Sequence, residues 1–155
     1  MTVDIIIPTY KPDETLCLLL HGLREQTFVI HRVMLLNTDE ELWKKAVSAY
    51  PIEQILDELP CPYTVKQIKK SEFDHGRTRR LGAQMSDADV VMFMTQDAVP
   101  ADTHLVEYLA KAFDDPLVAA AYARQLPLPD CREIEKYTRS FNYPEESRIK
   151  SKDDI

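Results

Sequence analysis

The chain has 155 residues, 45% of them hydrophobic and 29% charged, with a formal net charge of -7. That is enough for one domain with a real core and too apolar for wholesale disorder. The negative balance argues against a general nucleic-acid binder, so any anion would need a local basic cluster, a helix N-terminus or a metal.

Asp4 to Pro8, "DIIIP", reads as a buried strand, β-branched and ended by proline. Asp13 can cap a helix whose Leu16, Leu19, Leu20 and Leu23 form one apolar stripe. Arg32 to Asn37 is a second strand, and Thr38 with Glu41 has the spacing of a capping box opening a helix to about Ala49. Pro51 fits the first turn of a short helix carrying Ile52, Ile55, Leu56 and Leu59. Tyr63 to Ile68 alternates like a strand with one exposed face. His75 to Ser86 suits a helix with Thr78, Leu81, Gly82 and Met85 inward. Asp89 to Met94 is apolar on both faces, which predicts the centre of the sheet. Asp102 is expected to cap a helix carrying Leu105, Leu109 and Phe113, and Leu117 to Tyr122 to form a fifth strand. Asp130 is expected to begin a last helix with Ile134, Tyr137 and Phe141 inward.

Such alternation, with short connections, predicts an α/β three-layer sandwich around a mostly parallel sheet. Ligands of such sheets gather outside the carboxyl ends of the strands. That singles out Pro8-Thr9-Tyr10, Asn37-Thr38-Asp39 and Thr95-Gln96-Asp97 by position alone. No glycine follows the first strand, and the chain has only Gly22, Gly76 and Gly82. A dinucleotide fingerprint and a P-loop are therefore both disfavoured. A response-regulator domain would want paired acids at "PTY", which supplies none.

The three cysteines, Cys17, Cys61 and Cys131, are far apart and form no CxxC pair, so a disulfide framework or zinc knuckle is not expected. The start does not read as a signal peptide and no apolar run approaches a membrane span, which predicts a cytoplasmic protein. His21, His31 and His104 show no ligand spacing, and Trp43 reads as helix packing.

"DIIIPTYKP", "DHGRTRRLGAQMSDADVVMFMTQDAVPAD", "AAAYARQLP" and "SFNYPEES" together resemble the family 2 glycosyltransferases of the GT-A fold, in the branch of bacterial rhamnosyltransferases. The resemblance runs from about Val3 to the C-terminus. It implies a nucleotide-sugar-binding domain over residues 1–146, followed by a charged tail over 147–155. It places Pro8, Thr9 and Tyr10 against the nucleotide, with Asn37 or Asp39 where the family has an acid for base or ribose. Arg79 matches the arginine of a "TRN" motif, although Arg80 stands where asparagine is usual. Asp97 matches the last acid of a "DXD" signature, while Thr95 takes the place of the first. Thr95 and Gln96 are then expected as donors to the sugar or ribose, and Arg124 and Gln125 as part of the donor-sugar wall.

Breaking a sugar–diphosphate bond develops charge that a bound cation can stabilise. Mg²⁺ or Mn²⁺ accepts one or two carboxylates plus the substrate's own phosphates, so a lone Asp97 is chemically adequate. Without a ligand role, Asp97 would simply close the strand in an Asx-turn. Arg77, Arg79 and Arg80 form the one dense basic cluster, at a predicted helix N-terminus suited to an anion. Three arginines cannot all face one way on a helix. Arg79 is expected to act and a neighbour to be ordinary surface, while His75 reads equally as phosphate donor or capping residue.

An inverting transfer needs a carboxylate base for the acceptor hydroxyl. Nothing after Arg124 matches the family's acidic "ED"-like motif; "PEES" and "DDI" are acidic but read as loop and tail. Two functions stay open. One is the donor half of a metal-assisted inverting transferase that moves a sugar, rhamnose by resemblance, from a donor such as dTDP-rhamnose to a saccharide acceptor. The other is a non-catalytic module that binds a nucleotide or a second subunit. A truncated sheet would expose an edge, which also predicts a homo-oligomer.

Overall fold

The computed structural model describes residues 1–127 and 131–152. Its backbone divides into two compact units, Met1–Ala119 and Ala120–Ile155.

The first unit is built on four parallel strands in the order β3-β2-β1-β4. These are β1 (Val3–Tyr10), β2 (Arg32–Thr38), β3 (Tyr63–Ile68) and β4 (Val90–Phe93). The helices between them are α1 (Glu14–Arg24), α2 (Glu40–Ala49), α3 (Ile52–Asp57), α4 (His75–Met85) and α5 (Leu105–Lys111). Parallel strands need such crossovers, which cover both faces of the sheet. The α/β sandwich read from the sequence is therefore present, and the sheet is entirely parallel among the described residues.

The period of two along β1 and β2 separates the two cores. Ile5, Ile7, Val33 and Leu35 point to one face, packed with Leu16, Leu19, Leu20 and Leu23 of α1, Ile52 and Leu56 of α3, and Val106 of α5. Ile6, Met34, Leu36 and Ile68 point to the other, under Leu81 and Met85 of α4. Each fully buried Leu or Ile contributes roughly 1.5–3 kcal/mol over an exposed one. Gly82 lets α4 come down on the sheet: a Cβ there would lie 2.6 Å from Ile6 Cγ2 and 2.9 Å from Leu36 Cδ1.

Several expectations are corrected. β4 stands at an edge of the sheet, not its centre, and pairs only with β1 among the described residues. Leu117 to Tyr122 forms no strand; it holds three consecutive alanines, which favour strands poorly and bring little to bury. Asp39, not Thr38, caps α2, its Oδ1 accepting from the Glu41 and Leu42 amides. Asp102 does bind a backbone amide, that of His104, but the helix itself begins at Leu105.

In the second unit, α6 (Glu133–Asn142) carries Ile134, Tyr137 and Phe141 on one face, 69%, 67% and 76% exposed. The inward face expected for this helix is thus turned to solvent. Its expected start, Asp130, lies outside the described residues. No helix among the described residues is long and apolar enough to cross a membrane.

Candidate functional site at the carboxyl edge of the sheet

The carboxyl ends of β1, β2 and β3 are joined by a ladder of side chains. Thr9 pairs with Asn37 and Asn37 with Gln67 in the strand register. Thr9 Oγ1 donates to Asn37 Oδ1 at 3.0 Å, and Asn37 Nδ2 donates to Gln67 Oε1 at 2.7 Å and to the Asp39 carbonyl at 3.2 Å. Thr9 and Asn37 are both buried, so their polar groups are spent on holding the strand ends level. The hydroxyl of Thr38, buried beside them, has no partner within the described chain.

β4 is tied into this edge by one side chain. The Tyr10 amide donates to Gln96 Oε1 at 2.8 Å, and Gln96 Nε2 donates back to the Tyr10 carbonyl at 3.0 Å. Both ends of the Gln96 amide are thus engaged by Tyr10, and they continue the β1–β4 pairing past the last residue of β4. Tyr10 itself is 38% exposed.

Directly after Gln96 comes Asp97. Its backbone lies in a turn, with the Ala98 amide donating to the Thr95 carbonyl and the Val99 amide to the Asp97 carbonyl. Its carboxylate is exposed and has no hydrogen-bond or ion-pair partner among the described residues. Asp13, Asp39, Asp74 and Asp102 differ, each accepting a backbone N–H. The Asx-turn that would explain Asp97 locally is absent.

The turn carrying Asp97 is anchored from behind. Pro100 fills the space above Gly22, where a Cβ would come within 2.8 Å of the ring. Gln26 Nε2 donates to the Gly22 and Asp102 carbonyls and its Oε1 accepts from the Val106 amide. No spacing in the sequence announces Gln26.

Two non-glycine residues among those described have positive φ, Lys11 at 48° and Asp39 at 75°. They directly follow β1 and β2. Such a backbone costs about 1 kcal/mol or more. Asp39 recovers it through its double cap of α2.

Arg79 separates from its neighbours, as the helix period requires. Arg77, Arg80, Leu81 and Gln84 line a groove of about 380 Å³ together with Lys66, Gln67 and Ile68 of β3. Thr78 is buried and Gly82 packs on the sheet. Two residues on from Arg77, about 200° around the helix, Arg79 falls on the flank away from β3. Its Nη1 donates to the His75 carbonyl at 3.1 Å. Asp74 caps α4, and the Arg77 amide holds its carboxyl below the usual range. The ring of His75 is left at 5.0 Å from that of Phe73.

Arg124 and Gln125 lie in the second unit. There Arg124 Nη2 is 3.4 Å from Glu145 Oε1, and Gln125 Oε1 accepts from Arg139 Nη1 at 2.8 Å.

Two groups of carboxylates bear on where a cation could sit. Asp4, His31 and Asp87, at the amino end of the sheet, offer ligand atoms within 4.8 Å of one another. Arg32 already stands among them, Nη2 donating to Asp4 Oδ2 at 2.8 Å and to Asp87 Oδ1 at 2.7 Å. That guanidinium supplies the positive charge, so the cluster does not fit a metal. Asp97 does fit: an accessible, uncommitted carboxylate beside the exposed Thr95.

A family model described as Glycosyl transferase family 2 matches residues 4–154. The chain belongs to that family. The O-antigen chain rhamnosyltransferase RfbN of Salmonella typhimurium is 33% identical over 156 residues, covering 100% of this chain and 47% of RfbN. WbaN of Salmonella anatum, also an O-antigen chain rhamnosyltransferase, is 43% identical over 89 residues, 57% of this chain and 28% of WbaN. This family 2 chain therefore spans about half, or less, of the length of the curated relatives it matches. Among solved structures, S. aureus TarS 1–349 gives a TM-score of 0.60 at 17% identity over 84% of this chain and 40% of that one. TarS 1–349 in complex with UDP-GlcNAc gives 0.55 at 19% identity, over 84% and 39%. These likenesses show the fold, that of the GT-A glycosyltransferases.

Proposed function

We propose that the carboxyl edge of this sheet binds a nucleotide-diphosphate sugar and that the chain is the donor-binding part of a sugar transferase. The observation that carries this is Asp97, an exposed carboxylate without a partner, on a turn held by Gln96 and Pro100 at the edge where α/β sheets take their ligands. Tyr10 offers its ring to the nucleotide, and Arg79 lies on the flank of α4 away from β3. The groove beside Arg77 and Gln67 gives room at the same edge for a base. Rhamnose is the sugar favoured, because both curated relatives are rhamnosyltransferases; a saccharide is the acceptor.

Asp97 would hold a divalent cation, Mg²⁺ or Mn²⁺. When bound, such a cation neutralises charge on the diphosphate and fixes its orientation. One carboxylate is a weak site by itself, so the metal binds with the nucleotide rather than before it. In the inverting displacement favoured here, the acceptor oxygen bonds to the anomeric carbon as the carbon–oxygen bond to diphosphate breaks. The acceptor's proton must pass to a base, and no residue of this chain is assigned that role. A second reading is that the chain binds a nucleotide without turnover.

A thermal-shift screen of nucleoside diphosphates and nucleotide sugars, with and without Mn²⁺, tests the first reading. Ligand at about 100 times its Kd stabilises by about 2.7 kcal/mol. Asp97→Asn should remove only the Mn²⁺-dependent part. No stabilisation by any nucleotide would refute the donor site. Donor consumption with acceptor present separates transferase from binding module.

A further inference from the structure

We propose that Lys11 contacts the diphosphate of the donor. Lys11 takes this role only if the edge binds a nucleotide diphosphate, the reading proposed above.

Its backbone is left-handed, with φ of 48°. A non-glycine residue in that region is held there by its surroundings and calls for a reason. The surroundings are visible on both sides. Gln96 grips the amide and the carbonyl of Tyr10, the preceding residue. Pro12, the following residue, is buried and disfavours the right-handed α region for Lys11.

What the chain itself gains from this is small, an exposed cation–π contact of about 0.5–1 kcal/mol. Asp39, the other strained residue, caps a helix with its side chain. The ammonium of Lys11 is exposed and makes no hydrogen bond or ion pair among the described residues; it rests 5.3 Å from the centroid of the Tyr10 ring. The left-handed residue therefore presents, at the end of β1, a cation that only the Tyr10 ring engages among the described residues.

Its position supplies the use. Gln96 is bonded to Tyr10; Asp97 follows the first and Lys11 follows the second. One amide thus sets an unpaired carboxylate and an unpaired ammonium at the same strand ends, without their forming a salt bridge. A diphosphate joined to a cation suits that combination: the cation on the carboxylate, a phosphate oxygen on the ammonium. Lysine serves phosphate as a compact point charge. On a chain of net charge -7 a local positive group is needed for any anion to settle.

The test uses the full 155-residue chain with Mg²⁺ present. Calorimetry gives the affinities of dTDP and UDP, and ligand-observed NMR those of thymidine and uridine. Lys11→Met should weaken the diphosphates about tenfold or more and leave the nucleosides unchanged, and Lys11→Arg should restore most of the loss. Lys11→Gly should weaken diphosphates equally while raising the melting temperature, since glycine accepts the positive φ without strain. Unaltered dTDP and UDP binding by a folded Lys11→Met protein overturns the assignment and leaves the donor site standing. A parent chain that binds neither diphosphate overturns both.

Discussion

Gly82→Ala sets two effects of opposite sign against each other. In an exposed helix interior, alanine is favoured over glycine by about 1 kcal/mol. In α4 the new methyl would stand 2.6 Å from Ile6 Cγ2, 2.9 Å from Leu36 Cδ1 and 3.2 Å from Ile6 Cδ1. Carbon atoms are comfortable at about 3.5–4.0 Å. Ile6 and Leu36 are fully buried and sit on strands paired on both sides, so neither can swing into solvent. Overpacking of this kind costs about 1–3 kcal/mol, and an overlap this deep belongs at the upper end. Set against the propensity gain, the net loss should be about 2 kcal/mol, a fall of about 4–8 °C in Tm for a chain of this length. Urea unfolding measures it. Gly76→Ala is the control: the nearest atom to its Cβ is Asp74 Oδ1 at 3.6 Å, so propensity prevails and stability should rise by up to about 1 kcal/mol. A Gly82→Ala protein as stable as its parent would refute the close approach of α4 to the sheet.

Asp4 makes a pH-dependent contribution. Burial pushes its carboxyl up, but hydrogen bonds from Arg32, Ser86 and His31, with the charge of Arg32, outweigh burial and hold it below the usual range. A lowered folded pKa gives stability that is present above about pH 4 and is lost as pH falls through the folded value. Asp4→Asn should cost about 3 kcal/mol at neutral pH, by leaving Arg32 short of its buried counter-charge, and should flatten the acid-unfolding curve followed by circular dichroism. Tyr137→Ser should change stability by less than about 0.5 kcal/mol in urea unfolding, since the ring is two-thirds exposed on α6; a loss above 2 kcal/mol would mean that this face is covered.

How far the sequence could be read depended on whether a signal was local. Tyr63 to Ile68 forms a strand with the expected bounds, because alternation shows wherever one face is wet. Asp13 caps α1 as anticipated, since a cap needs only its own next turn. The separation of Arg79 from Arg77 follows from the helix period alone. β4 was misplaced because apolar residues on both faces report low polarity and not which strands lie alongside. The Gln96–Tyr10 bond joins residues 86 apart and left no trace in either segment. Nor did Lys11 show itself, because a lysine gives no local sign of a left-handed backbone.

The two borders of the sheet are unlike. β3 ends the sheet with the exposed side chains of Tyr63, Thr64 and Lys66, and a lysine discourages another chain from zipping on. β4 ends it with Val90, Val91, Met92 and Phe93, which carry no charge and no proline. Of the two borders, β4 is the one better suited to accept a further strand, and a strand added there would lie beside the turn that carries Asp97.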